Sequence, residues 1–191
     1  MHGNPWINIE RIMGGGFLPC AAPVNGPTIQ RFTMQTNPTT KGTIQERLSW
    51  AITPELHDTI RRLWIKHSKA EDSRDLDGLI ATLTEDCVYE SVFTGERWEG
   101  HDGARQFYTS FLGAFPDVTF TLTDIVIGPQ GVFEAAEMVG THRGVWAGIE
   151  PTGKTVRATI LILFPWDPAA RKFAGEKIYF DPAAFKRQLQ T

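Results

Sequence analysis

Four strand-like runs follow one another with no helical pattern between them: VTFTLTDIVIG from Val118, GVFEAAEMVGTHRG from Gly131, KTVRATILILF from Lys154 and KFAGEKIYF from Lys172. Each is bounded by Gly, Pro or Asp, the residues that turn a chain between strands. Without crossover helices, successive strands pair antiparallel, so the second half of the chain specifies a meander. The first half carries the other period. Thr53-Pro54-Glu55 supplies a cap, a first-turn proline and an early acid ahead of Leu56, Ile60, Leu63 and Trp64, predicting a helix to about Ala70. A short helix is expected over Asp75–Leu83 and a strand over Cys87–Phe93. A third helix over His101–Phe115 places Ala104, Phe107, Tyr108, Phe111 and Leu112 on one face, and a short terminal helix is expected over Ala183–Leu189. Helices first and a meander afterwards means α+β, with three helices on the concave side of a strongly curved antiparallel sheet. Such a cone has one open mouth and suits a small apolar ligand.

At 191 residues the chain accommodates one buried core and an appendage. Residues 1–50, with GGG, PCAAP, NGP and TNPTTKG, read as an irregular extension, and residues 51–191 as the domain. Trp6, Phe17 and Phe32 in that extension are candidate plugs for the mouth of the cone. A net charge of -3 with scattered basic residues gives no footprint for nucleic acid or anionic lipid. No stretch of 18 apolar residues is present, so no membrane span is expected, and the start lacks the basic and apolar regions of a secretion signal. Two isolated cysteines, Cys20 and Cys87, fit a reducing compartment, and a cytoplasmic location is the expectation.

Nucleotide-binding glycine motifs, a nucleophile elbow and metal-spaced histidines are all missing from the sequence, so neither a cofactor nor a metal is expected. Three residues are candidates for catalysis. Asp181, at a strand end under aromatic cover, would lose hydration and could take a proton from carbon beside a carbonyl; before Pro182 it is equally a helix N-cap. His142, in GTHRG, either shapes a turn or enters the pocket. Tyr179 is a candidate donor to an enolate, as are Tyr89, Tyr108 and Trp98. Glu176, on the other face of the last strand, is expected to be solvated or ion-paired. His57 and His67 are expected to be solvated on the first helix, and His101 to cap the third. Phe93, Phe107, Phe111, Trp146 and Phe164 are core residues that can also line a pocket.

Four stretches resemble the NTF2-like superfamily, and within it the SnoaL-like polyketide cyclases: DLDGLIATLTEDCVYE from Asp75, WEGHDGARQFYTSFLGAFPD from Trp98, GTHRGVWAGIEPTGK from Gly140 and IYFDPAAFKRQL from Ile178. They occur in the family's order over residues 54–190. The resemblance implies the cone fold, a homodimer packed through its sheets, and a pocket aspartate acting as general base, helped by a histidine, without metal or cofactor. The family's histidine and aspartate positions fall on or near Ile162 and Ile178, both apolar here, so these two and Ile160 are expected as pocket lining and Asp181 as the substitute base.

The function expected is a cofactor-independent acid–base enzyme acting on a small apolar or aromatic carbonyl compound, as a polyketide cyclase-like aldol catalyst, isomerase or lyase. Epoxide hydrolysis, for which Arg157 and Asp181 are the only candidates, has a thinner basis. The alternative is a non-catalytic small-molecule-binding or dimerisation module, favoured by the apolar residues at Ile162 and Ile178.

Overall fold

A computed structural model describes residues 42–190, all within the unit Gln35–Thr191. The proposed plugs Trp6, Phe17 and Phe32, and Cys20, lie outside the described residues. The order of elements is α1 (Ile44–Leu48), α2 (Pro54–Asp72), α3 (Leu76–Ile80), β1 (Leu83–Ser91), β2 (Glu96–Glu99), α4 (Gly100–Ala114), β3 (Thr119–Gly128), β4 (Gly131–Thr141), β5 (Thr155–Asp167), β6 (Lys172–Tyr179) and α5 (Pro182–Gln190).

The helices start where the capping chemistry puts them. Thr53 accepts from the Leu56 N–H at the start of α2, and Asp75 accepts from the Gly78 N–H at the start of α3. Two local signals escaped the sequence reading. Thr43 and Glu46 form a reciprocal capping box that builds α1 inside the stretch taken as irregular. The four-residue strand β2 pairs with β1 across the turn at residues 92–95.

The six strands form one curved, unclosed sheet in the order β2-β1-β6-β5-β4-β3. The last four are the expected antiparallel meander, but β1 lies beside β6 and runs parallel to it. Helix α4, between these two strands in sequence, carries the chain to the far edge at β3, and the meander brings it back to β1, a long-range pairing that periodicity does not reveal.

Registered pairs define the concave face. Glu134 pairs with Ile162, Ile162 with Ile178, Tyr89 with Glu176 and Ser91 with Ile178. Residues opposite one another share a face, so these side chains form one inward layer. Helices α2 and α4 cover it, burying Ile60, His67 and Ala70 from the first and Ala104, Tyr108 and Ala114 from the second.

One irregularity decides where Glu176 points. Between the β5–β6 pairs Trp166↔Phe173 and Leu163↔Lys177, β6 advances four residues while β5 advances three. The extra residue shifts the phase of the strand, so Phe173 and Glu176 both face inward although they are three apart. Gly175 sits in this bulge at φ 116°, and a Cβ there would lie 2.0 Å from the Val88 carbonyl oxygen. Only glycine permits that approach.

Candidate functional site

The concave side holds two adjoining regions, an apolar cavity and a buried polar cluster behind it. The cavity has a volume of about 420 Å³. Aromatic walls come from Trp98 on β2, Phe107 and Phe111 on α4, Trp146 in the loop after β4, and Phe180 and Phe185 around the start of α5. Met138, Ile160 and Ile178 form its sheet side, and its polar groups are Ser91, Thr94, Glu96, Ser110 and Lys186. Of the expected pocket residues, Trp98, Phe107, Phe111, Trp146, Ile160 and Ile178 line this space.

Five others are placed elsewhere. Ile162 and Phe164 are buried in the core beneath it, and Tyr89 and Tyr108 belong to the polar cluster. Phe93 is 65% exposed and rests edge-on against Tyr179, 6.1 Å between centroids. Tyr179 pairs with Leu161, one residue out of phase with inward Ile162 and Ile178, so it stands on the outer face of the sheet. Its hydroxyl pKa is raised by partial burial and then by the Glu90 charge.

Asp181 and His142 are not brought together in the cavity. The exposed Asp181 carboxylate accepts the N–H groups of Ala183 and Ala184, both at 2.9 Å, which makes it the cap of α5. His142 is fully buried, its ring stacked on Phe115 with centroids 5.4 Å apart. The Thr152 N–H donates to His142 Nδ1 at 3.3 Å, which places the ring proton on Nε2. That Nε2 has no hydrogen-bond partner among the described residues. Through Phe115, which touches Trp146 and Phe185, His142 stands one ring behind the cavity wall.

The polar cluster is centred on Glu176, which is 2% exposed. Its Oε1 accepts from the Tyr89 hydroxyl at 2.8 Å and the Tyr108 hydroxyl at 2.8 Å, and lies 3.0 Å from His67 Nε2. No donor reaches Oε2 among the described residues. The tautomer of His67 follows from its other neighbour. The Thr82 hydroxyl donates to the Leu79 carbonyl at 2.6 Å, so at 2.7 Å from His67 Nδ1 it can only accept, and Nδ1 carries a proton. An unprotonated Nε2 would face Glu176 lone pair to lone pair; the 3.0 Å contact therefore also carries a proton. His67 and Glu176 hold that proton between them as imidazolium and carboxylate or as imidazole and acid. Burial and then the Glu176 charge push both tyrosines well above the usual phenol range, which keeps them as donors.

Two more carboxyls border the cluster. Glu134 receives the Trp64 indole N–H at 2.6 Å; burial raises its pKa to about 7, the indole opposing and the Glu176 charge adding. Half-buried Glu71 is raised too, by desolvation first and then by Glu176, Glu134 and Asp72, with Arg74 opposing. Among the described residues, no group of three or more His, Cys, Asp or Glu is arranged to hold a metal.

His67, expected in solvent, is buried, and Glu176, expected to be solvated or ion-paired, is buried against His67. The signal was present: His67 continues the stripe Ile60, Leu63, Trp64 at helical spacing, and Glu176 shares the parity of Ile178. His101 provides no cap, because α4 begins after Glu99 without a side-chain cap bond. Phe107 joins the two regions, lining the cavity while touching Tyr89 at 5.4 Å and Tyr108 at 5.3 Å between centroids.

Solved structures with this arrangement of helices and strands are numerous. A protein provisionally named a SnoaL-like polyketide cyclase, from Jannaschia sp. CCS1, superposes with a TM-score of 0.66 at 15% identity over 74% of this chain and 98% of its own. IdmH from Streptomyces antibioticus, also provisionally named a polyketide cyclase, gives 0.57 at 22% over 69% and 99%. An NTF2-like protein of unknown function from Burkholderia pseudomallei K96243 gives 0.59 at 14% over 70% and 98%. At these identities the likeness speaks for the fold. No curated protein matches the chain. The family model of the SnoaL-like polyketide cyclases matches residues 59–189, which include α3, α4, the whole sheet, most of α2 and nearly all of α5, and the chain belongs to that family.

Proposed function

We propose that the cone binds a small, largely apolar or aromatic molecule. The observation that carries this reading is the cavity of about 420 Å³ with aromatic walls and few polar groups, a size and lining suited to one small organic ligand. A ligand that binds only the folded state stabilises it by about 2.7 kcal/mol at a hundred times its Kd. Thermal unfolding against a panel of aromatic ketones and phenols tests the reading: members that fit raise Tm with concentration, and a panel that leaves Tm unchanged contradicts it.

A second reading, acid–base chemistry on a carbonyl compound without metal or cofactor, is favoured by Glu176. This carboxyl lies on the cavity-facing row of β6, two residues from Ile178, and gathers the Tyr89 and Tyr108 hydroxyls and the His67 ring on one oxygen, with no partner on the other among the described residues. A base held this way can take a proton through the unoccupied oxygen once Phe107 gives access. Exchange of the α-protons of 2-tetralone in deuterated water, followed by NMR, tests this reading. The protein accelerates exchange and Glu176→Gln does not; equal rates with and without protein contradict it.

The outer face of the sheet supports a homodimer. Val126, 65% exposed, pairs in register with Phe133, 40% exposed, and the two form an exposed apolar pair on the outer face.

A further inference from the structure

The cavity wall carries a hydroxyl relay with a fixed direction, formed by Ser91, Thr94 and Glu96 where β1 turns into β2. Ser91 is 5% exposed, faces the cavity, and is held there by the turn, in which its carbonyl accepts the Gly95 N–H at 2.8 Å. Its Oγ lies 2.7 Å from Thr94 Oγ1, and Thr94 Oγ1 lies 2.9 Å from Glu96 Oε2. The Thr94 hydroxyl has a single proton to place. Given to Ser91, it would leave the Thr94 oxygen facing a carboxylate oxygen at 2.9 Å with nothing between them. The proton therefore goes to Glu96, the stronger acceptor, and the short Ser91–Thr94 contact is supplied by the Ser91 proton instead. That leaves Ser91 with its own hydrogen committed and its lone pairs unclaimed among the described residues, on the wall of a largely apolar space.

We infer that Ser91 reads a hydrogen-bond donor on the ligand, so that the cavity selects a hydroxylated aromatic, a phenol or enol, over the same ring system with an ether. The inference rests on the cavity reading above and names the class of molecule within it. The exposed Glu96 sets the polarity of the relay, and Ser91 is the point of contact.

Two probes of nearly the same shape separate the outcomes: 2-naphthol and 2-methoxynaphthalene, titrated by calorimetry into the whole chain. A hydrogen bond gained in a dry site predicts 2-naphthol tighter by about ten-fold. Ser91→Ala removes the acceptor and brings the two Kd values within about two-fold of each other. Glu96→Gln, at an exposed position, offers Thr94 either a donor or an acceptor and narrows the preference. Equal binding of both probes to the unaltered protein overturns the inference while leaving the cavity reading standing. Binding of neither probe overturns both, and an undiminished preference in Ser91→Ala overturns Ser91 as the reader.

Discussion

His67 Nε2 lies 3.0 Å from Glu176 Oε1, and its Nδ1 lies 2.7 Å from a Thr82 hydroxyl already committed to the Leu79 carbonyl, so a helix, a strand and a loop are joined by one imidazole. All three residues are at most 5% exposed, and water cannot replace a lost partner. Glu176→Ala strands the Tyr89 and Tyr108 hydroxyls and the His67 ring at once and is expected to lower stability by about 3–5 kcal/mol. Glu176→Gln retains an acceptor oxygen and loses less. Urea denaturation of the two variants checks the order; equal losses would mean the carboxyl's charge, not its acceptor geometry, holds the cluster.

Asp181 supplies a cap, with its carboxylate on the Ala183 and Ala184 N–H groups. Asp181→Ala is expected to cost about 1 kcal/mol, the usual loss at an N-cap, and to leave aromatic-ligand affinity unchanged. Urea denaturation and calorimetry on one preparation measure both. A large loss of affinity at unchanged stability would return Asp181 to the site.

Glu134 sets a pH dependence whose sign is fixed. Burial raises its pKa from the ordinary 4.5 to about 7, so the folded state holds the proton more tightly than the unfolded state. Its stabilising contribution is complete below 4.5 and is lost as pH rises through about 7. Glu134→Gln, which can still accept from Trp64, is free of that loss, so the variant gains on the unaltered protein between about pH 5 and about pH 8. Denaturant midpoints at the two pH values decide it; a difference independent of pH contradicts the assignment.

The pair Val126 and Phe133 carries the dimer proposal. Val126→Lys places a charge on the outer face, away from cavity and cluster, and is expected to shift the protein to monomer in sedimentation velocity with stability changed by less than about 0.5 kcal/mol beyond the loss of the partner. A protein that is monomeric before substitution removes the proposal.

Much of the fold was legible because its signals are local. Thr53-Pro54 marks the start of α2, Asp181-Pro182 that of α5, and the bounded strand runs give β3 to β6. The parallel pairing of β1 with β6 was not legible, since it joins residues about ninety apart and leaves no periodic trace. The aromatic wall was partly legible: Phe107 and Phe111 lie on one helical face, whereas Phe93 and Phe107 look alike as composition and stand on opposite sides of the sheet. The polar cluster was missed for a physical reason. A glutamate beside a lysine reads as surface despite its parity with Ile178, and the bulge at Gly175, which depends on the Val88 backbone of another strand, puts Phe173 on the same face out of phase with the strand's alternation.

Ser110 lines the cavity from an exposed position on α4, so a large side chain there can fill the space without disturbing the core. Calorimetric titration of 2-naphthol into the unaltered protein and into Ser110→Trp is the most direct test of the cone as a binding site. Saturable one-to-one binding, weakened at least about ten-fold by Ser110→Trp with stability within about 0.5 kcal/mol, is the predicted result. Binding of equal strength in both proteins, or none in either, would contradict the account.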